Sequence, residues 1–236
     1  MSKKEVVLVT GASKGIGEAI AIKLAKENYD VIIFGRDVQR LIKLKEKLVS
    51  LNSNTIYFNG DVSNEEFVTE SVNKILEKFD KIDAVINNAG IARFIPFAES
   101  NLEQFKEQID VNLYGVYNFS RAVINHMIKR KHGTIINISS LSGKVGFQLG
   151  TMYSATKHAV MGFSRSLMQE VRKFDVRVVA ICPGSVVTDM ILNSPIHPKN
   201  SEKVLYPEDV AEVVFTTLKL PQRALVSEIE IRPNNP

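Results

Sequence analysis

Seven short apolar runs, separated from one another by stretches with helical periodicity, constrain this chain more than any other feature. The runs are Val6–Thr10, Val31–Phe34, Thr55–Phe58, Ala84–Ile86, Gly133–Ile138, Val176–Ile181 and Val226–Ile231. Between the first two lies Gly15–Glu27, in which Ile16, Ile20 and Leu24 fall on one helical face. Further helical stretches are Val38–Leu51, Asn64–Phe79, about Leu102 to Arg130, Met152–Lys173 and Pro207–Leu218. Ser63 or Asn64 suits the cap of the third, and Pro207 the first turn of the last. Strands so uniformly apolar belong in a parallel sheet covered on both faces, and right-handed crossovers then place helices on each side. The expected architecture is α/β: a doubly wound parallel sheet of about seven strands, in one domain spanning 1–236.

Composition excludes several classes. Of 236 residues 44% are hydrophobic and 24% charged, which supports a sizeable core. No apolar run approaches the ~18 residues of a membrane span, and Val6–Val9 is too short for a signal-peptide core. Cys182 is the lone cysteine, so no internal disulfide framework exists, and it reads as a small buried residue rather than a nucleophile. A cytoplasmic protein is expected. The net charge of +4 is scattered rather than striped, which favours a solvated surface over a nucleic-acid partner. The four histidines lack metal-ligand spacing, so no metal is expected.

Two motifs carry chemistry. The first run ends in Thr10-Gly-Ala-Ser-Lys-Gly-Ile-Gly17 and passes directly into a helix. Gly11, Gly15 and Gly17 permit a tight turn whose N–H groups can face a pyrophosphate at the helix start. The second run ends Phe34-Gly35-Arg36, without the acid that binds the ribose 2′-hydroxyl of NAD. Arg36, aided by Lys14, suits a 2′-phosphate instead, so NADP(H) is the expected cofactor.

The second motif is Tyr153-Ser-Ala-Thr-Lys157, whose spacing puts phenol and ammonium on one helical face. A free tyrosine has a pKa of ~10, so neutrality requires a shift of ~3 units, or about 4 kcal/mol. One unit charge at ~4 Å and an effective dielectric of about 20 supplies roughly that much. The lysine is therefore expected to make Tyr153 a general acid in reduction and a base in oxidation. Ser140 follows the fifth run, at the carboxyl end where such sheets bind ligands, and its hydroxyl can polarise a carbonyl.

With these pieces in order, nearly the whole chain resembles the short-chain dehydrogenase/reductase family, whose catalytic domain has a Rossmann-type fold. The matching segments are Thr10–Gly17, Asp61-Val62, Asn87-Asn-Ala-Gly90, Asn112, Ser140, Tyr153, Lys157, Pro183-Gly184 and Thr188. The resemblance implies that Tyr153 donates the proton, Ser140 orients the substrate, Lys157 binds the nicotinamide ribose, and Asn112 supports a water-linked proton relay. It further implies cofactor contacts from Ser13 and Ile16 in the turn, and from Asp61 and Val62 at the adenine. Asn88, Ala89 and Gly90 would line the adenosine and ribose, with Pro183, Gly184, Val186 and Thr188 beyond. A homodimer or homotetramer is implied. The tail Ile229-Glu-Ile-Arg-Pro-Asn-Asn-Pro236 departs from the glycine-rich ending of the family's 3-oxoacyl carrier-protein reductases.

Phe94, Phe97, Val145, Phe147, Leu149, Met190, Ile191 and Leu192 are expected to border a small apolar or aromatic carbonyl substrate, as in a carbonyl or sepiapterin-type reductase. An alternative is reduction of 3-oxoacyl groups on an acidic carrier protein, docked on Lys129-Arg-Lys131 and Arg172-Lys173. From another class, the same fold can serve as a non-catalytic NADP sensor.

Overall fold

The computed structural model describes residues 4–198 and 203–234, so Met1–Lys3, residues 199–202 and Asn235–Pro236, which the single-domain and tail readings include, lie outside the described residues. Its strands are β1 (Val6–Val9), β2 (Asp30–Gly35), β3 (Tyr57–Asn59), β4 (Ala84–Asn87), β5 (Gly133–Ile138), β6 (Val176–Pro183) and β7 (Glu228–Ile231). All pair in parallel within one sheet, in the order β3-β2-β1-β4-β5-β6-β7. The helices are α1 (Gly15–Lys26), α2 (Val38–Ser50), α3 (Glu65–Phe79), α4 (Leu102–Ile109), α5 (Gly115–Arg130), α6 (Thr151–Val171), α7 (Asp189–Leu192) and α8 (Pro207–Lys219).

Successive residues of a strand point to opposite faces, and here both faces are covered. Val7, Val9, Ile33, Ile86 and Ile136 pack with Ile20 and Leu24 of α1, Leu41 of α2 and Val214 of α8. On the other face Leu8, Ile32, Phe34, Val85 and Ile135 pack with Val68 and Ile75 of α3 and Phe119 and Val123 of α5. Phe34 anchors this second layer, stacked 5.0 Å from Phe58 and edge-on at 4.7 Å to Phe119. The chain builds outward from β1 to β3 and then returns to lay β4 to β7 on the other side. That reversal parts the loops after β1 and β4 and opens a crevice at the carboxyl edge.

The helix read over Leu102 to Arg130 is instead three pieces, with a π-helical turn at Asp110–Tyr114 between α4 and α5. The wide turn holds Asn112 fully buried, where its carboxamide bonds Ile91 N and O at 2.8 and 2.9 Å and Thr156 Oγ1 at 3.0 Å. Those buried bonds offset the poorer backbone geometry of a π turn, a feature common at functional sites. Asn64, rather than Ser63, caps α3 by accepting from Phe67 N at 2.9 Å. α7 has no counterpart in the periodicity, being a single turn.

Candidate active site

The glycine turn joins β1 to α1 across the crevice. Gly11 and Gly15 have φ of +63° and +60°, and a Cβ on Gly11 would stand 2.8 Å from Ala89 Cα. The turn is braced against the segment after β4: Thr10 Oγ1 accepts from Asn88 N and Ala89 N, both at 3.0 Å. Asn88 Nδ2 returns the contact, donating to Thr10 O at 3.0 Å and Gly11 O at 3.3 Å. Beyond β3, Asp61 Oδ1 accepts from Ser63 N and Oγ at 2.9 and 2.8 Å, and Asn118 Nδ2 fixes the Val62 carbonyl at 3.0 Å.

Charge gathers where β2 ends. Arg36 is exposed on the cleft wall, and Arg40 and Lys14 stand on the same wall. Asp189 of α7 binds Lys14 Nζ at 2.9 Å and lies 3.9 Å from Arg40 Nη1, while Asp37 meets Arg40 Nε at 3.3 Å. The Lys14 ammonium holds the Asp189 carboxyl below its usual range. Gly35 leaves little room beside it, since a Cβ there would lie 3.3 Å from both Ser13 Cβ and Leu41 Cδ2.

At the other end, the first turns of α6 present Tyr153 and Lys157 beneath the loop after β5. Lys157 is buried, donating from Nζ to Ile138 O at 2.9 Å, and lies 5.7 Å from the Tyr153 ring centre. Ser139 Oγ donates to Lys157 O at 3.2 Å, and Thr156 Oγ1, the partner of Asn112, donates to Tyr153 O at 2.8 Å. Ser140 serves two ends: it caps the turn Leu141–Gly143 by accepting from Ser142 N at 3.1 Å, and its hydroxyl reaches the Tyr153 phenol. Phe94 packs edge-on to Tyr153 at 5.6 Å and lies 5.8 Å from Phe147.

The electrostatics correct the sequence arithmetic. Burial pushes the Tyr153 phenol up to about 12, with the Ser140 hydrogen bond pulling weakly the other way. Burial also pushes Lys157 down to about 8. The ammonium stands 5.7 Å from the ring centre, and its attraction for a phenolate is the opposing influence. Desolvation outweighs it, and the phenol keeps its proton at neutral pH.

One cleft of about 1300 Å³ joins the two ends. Gly11, Ser13, Lys14, Gly15, Ile16 and Arg36 line it, as do Asp61, Val62, Asn88, Ala89 and Gly90. So do Ser140, Tyr153, Lys157, Pro183, Gly184, Val186 and Thr188. Gly17 instead packs beneath the turn, 2.8 Å from Gly11 C if given a Cβ, and Asn112 sits behind the wall. Of the eight residues expected at the substrate, six line the cleft. Phe97 points outward with 70% exposure, and Leu149 turns away at φ +67° while its carbonyl accepts from Ile95 N at 3.2 Å. Sequence reasoning passed over Arg40, whose Asp37-capped position on α2 was the available signal, and Arg232, which only the β6–β7 pairing brings to the cleft. Cys182 is fully buried beside Met161. No helix among the described residues is long and apolar enough to cross a membrane.

A parallel sheet with a glycine turn at its point of reversal, a long cleft and a Tyr–Lys pair at the far end defines a dinucleotide-dependent oxidoreductase. The short chain dehydrogenase profile matches residues 5–197, and the chain belongs to that family. An uncharacterised oxidoreductase of Staphylococcus saprophyticus is 37% identical over 231 residues, 97% of each chain. The alcohol dehydrogenase of the archaeon Thermococcus sibiricus, solved with 5-hydroxy-NADP, superposes with a TM-score of 0.91 at 35% identity, over 98% of this chain and 97% of that one. A serine dehydrogenase in closed form with NADP+ gives 0.88 at 34% identity, over 97% and 94%. The protein is thus a nicotinamide-dependent enzyme acting on CH–OH or C=O groups.

Proposed function

We propose that this chain uses NADP(H) to interconvert a small carbonyl compound and its alcohol, with Tyr153 as general acid in reduction and general base in oxidation. The observation that carries the reading is the convergence of Tyr153, Ser140 and Lys157 on one wall of the cleft whose other end is the glycine turn. Bound nicotinamide supplies a hydride to the carbonyl carbon, or accepts one from the alcohol. Ser140 Oγ holds the substrate oxygen beside the phenol. Tyr153 gives its proton to that oxygen as negative charge grows there. Lys157, fixed to Ile138 O, offsets the charge left on the phenolate and is positioned for a ribose hydroxyl. Asn112 sets the wall by tying Ile91 to Thr156, and the water-linked relay would pass through this neighbourhood. Phe94, Val145, Phe147 and Leu192 exclude water and favour an apolar substrate body. Carrier-protein docking fits less well: Lys129-Arg-Lys131 and Arg172-Lys173 lead into β5 and β6, at the sheet edge opposite the cleft. Arg130 is also committed to Asp83 Oδ1 at 2.8 Å.

NADP rather than NAD is supported by three cations around the end of β2 and by the crowding at Gly35. The Thermococcus enzyme and the serine dehydrogenase, both solved with NADP forms, point the same way. Nucleotide titrations followed by nicotinamide fluorescence test it. Arg36→Ala is expected to weaken NADPH binding about 10- to 100-fold, the worth of a charge-assisted fork at roughly 1.5–3 kcal/mol, with NADH changed less than about threefold. Equal loss of both nucleotides would overturn the 2′-phosphate assignment. Asp189 competes for the same cations, so Asp189→Asn should tighten NADPH by about two- to fivefold at low salt, as suits an exposed pair. Added salt should shrink that gain.

A further inference from the structure

A chain of charged groups that ends at the cleft in Arg232 is unbalanced. Arg165 Nε binds Glu228 Oε1 at 2.6 Å, and Lys144 Nζ binds both Glu228 Oε2 at 2.7 Å and Glu230 Oε1 at 2.9 Å. Arg232 closes the chain on Glu230 Oε2, with Nη2 at 2.7 Å and Nε at 3.2 Å. Three cations alternate with two carboxylates, leaving one excess positive charge. Both carboxyls are held below their usual range by these partners, so they stay charged at neutral pH.

The terminal cation is the one that meets the cleft. Arg232 follows β7 directly, and its neighbours Ile231 and Pro233 press on Gly184 beside Leu141, next to Ser140. Its bonds to Glu230 engage one oxygen through Nε and Nη2, which does not exhaust a guanidinium with about five N–H donors. Among the described residues, Lys157 is the other cation at this end, and its ammonium donates to Ile138 O beneath the phenol. The remaining charged groups of the cleft belong to the glycine turn, the first turn of α1, the ends of β2 and β3, the start of α2, and α7. Among the described residues, the surrounding wall of Phe94, Phe147 and Leu192 offers an anion nothing else to pair with.

We infer that Arg232 is a substrate-anchoring residue and that the physiological substrate carries a carboxylate on a short apolar body: a hydroxy acid and its oxo acid. This deepens the catalytic reading above, which it requires for turnover but not for binding. A carboxylate shares the Arg232 fork with Glu230, takes up the excess charge, and leaves the carbonyl to Ser140 and Tyr153. Arg232 would then set KM rather than the proton step.

The test compares 4-oxopentanoate with methyl 4-oxopentanoate, and 3-oxobutanoate with its methyl ester, as substrates with NADPH. Wild-type kcat/KM is expected to favour at least one acid over its ester by about 10- to 100-fold, the scale of a charge-assisted fork. Arg232→Met should erase that preference through KM and leave the esters within about twofold. Arg232→Lys should keep part of it. Preference for the ester in both pairs, or equal loss on acid and ester in Arg232→Met, overturns the anchor while leaving the catalytic reading intact. If wild type reduces none of the four ketones, calorimetry of 4-oxopentanoate with the NADP-loaded enzyme decides instead. Binding lost in Arg232→Met supports the anchor, and no binding to wild type overturns it.

Discussion

Tyr153→Phe should lower turnover by about 10²- to 10⁴-fold while leaving NADPH affinity within about twofold. That range is the usual worth of a positioned general acid. Phenylalanine keeps the ring that packs edge-on to Phe94 at 5.6 Å and lies 5.7 Å from the Lys157 ammonium, so the wall of the cleft survives. What disappears is the hydroxyl that reaches Ser140, and with it the proton source. Burial lifts the phenol to about 12, so the resting enzyme holds that proton throughout the neutral range, the form that carbonyl reduction needs. Stopped-flow reduction of a ketone, paired with fluorescence titration of NADPH, separates chemistry from binding. Turnover that persists in the variant would remove Tyr153 from the reaction. Loss of NADPH binding along with turnover would show instead that the ring is structural.

Most of the fold was legible because its signal is local. Valine and isoleucine runs such as Val31–Phe34 announce buried parallel strands, and the Thr10–Gly17 turn can be recognised from residues that are neighbours in the chain. The spacing of Tyr153 and Lys157 likewise gave their shared helical face. What the sequence hid depends on distant partners. Leu102 to Arg130 carries helical periodicity throughout, and nothing within it marks the π turn that Ile91 and Thr156 stabilise by binding Asn112. Phe97 and Leu149 are apolar and close in sequence to cleft residues, yet one faces solvent and the other is turned by a left-handed backbone. Arg232 lies 48 positions from Gly184 and reaches the cleft only through the pairing of Pro183 with Ile231. Burial was the other hidden quantity. A motif specifies that a phenol and an ammonium are close, but the solvent each loses depends on the whole surrounding wall, and here that loss reverses the expected direction of the tyrosine shift.

Lys157→Met should cost about 100-fold in turnover, the rate equivalent of the roughly 3 kcal/mol that a cation about 5–6 Å away lends to a phenolate at an effective dielectric of about 20. It should also change stability in a pH-dependent way, which a purely catalytic role would not require. Burial depresses the Lys157 pKa from 10.5 to about 8, so the folded enzyme pays to keep the ammonium charged. Between those values the unfolded chain binds more protons than the native state, and wild-type stability therefore gains as pH rises from 8 toward 10.5. Below pH 8 the full penalty is present. Methionine carries no such penalty at any pH, although it leaves Ile138 O without its donor, a cost that does not vary with pH. Denaturant unfolding of both proteins from pH 7 to 10.5 should then show the difference shifting toward wild type by up to about 3 kcal/mol. Other ionisations cancel in that difference. The same proton governs activity: kcat/KM for carbonyl reduction should fall as pH rises through about 8, where the ammonium is lost. A stability difference flat across this range would mean that Lys157 keeps its ordinary proton affinity, and that burial does not disfavour its charged form.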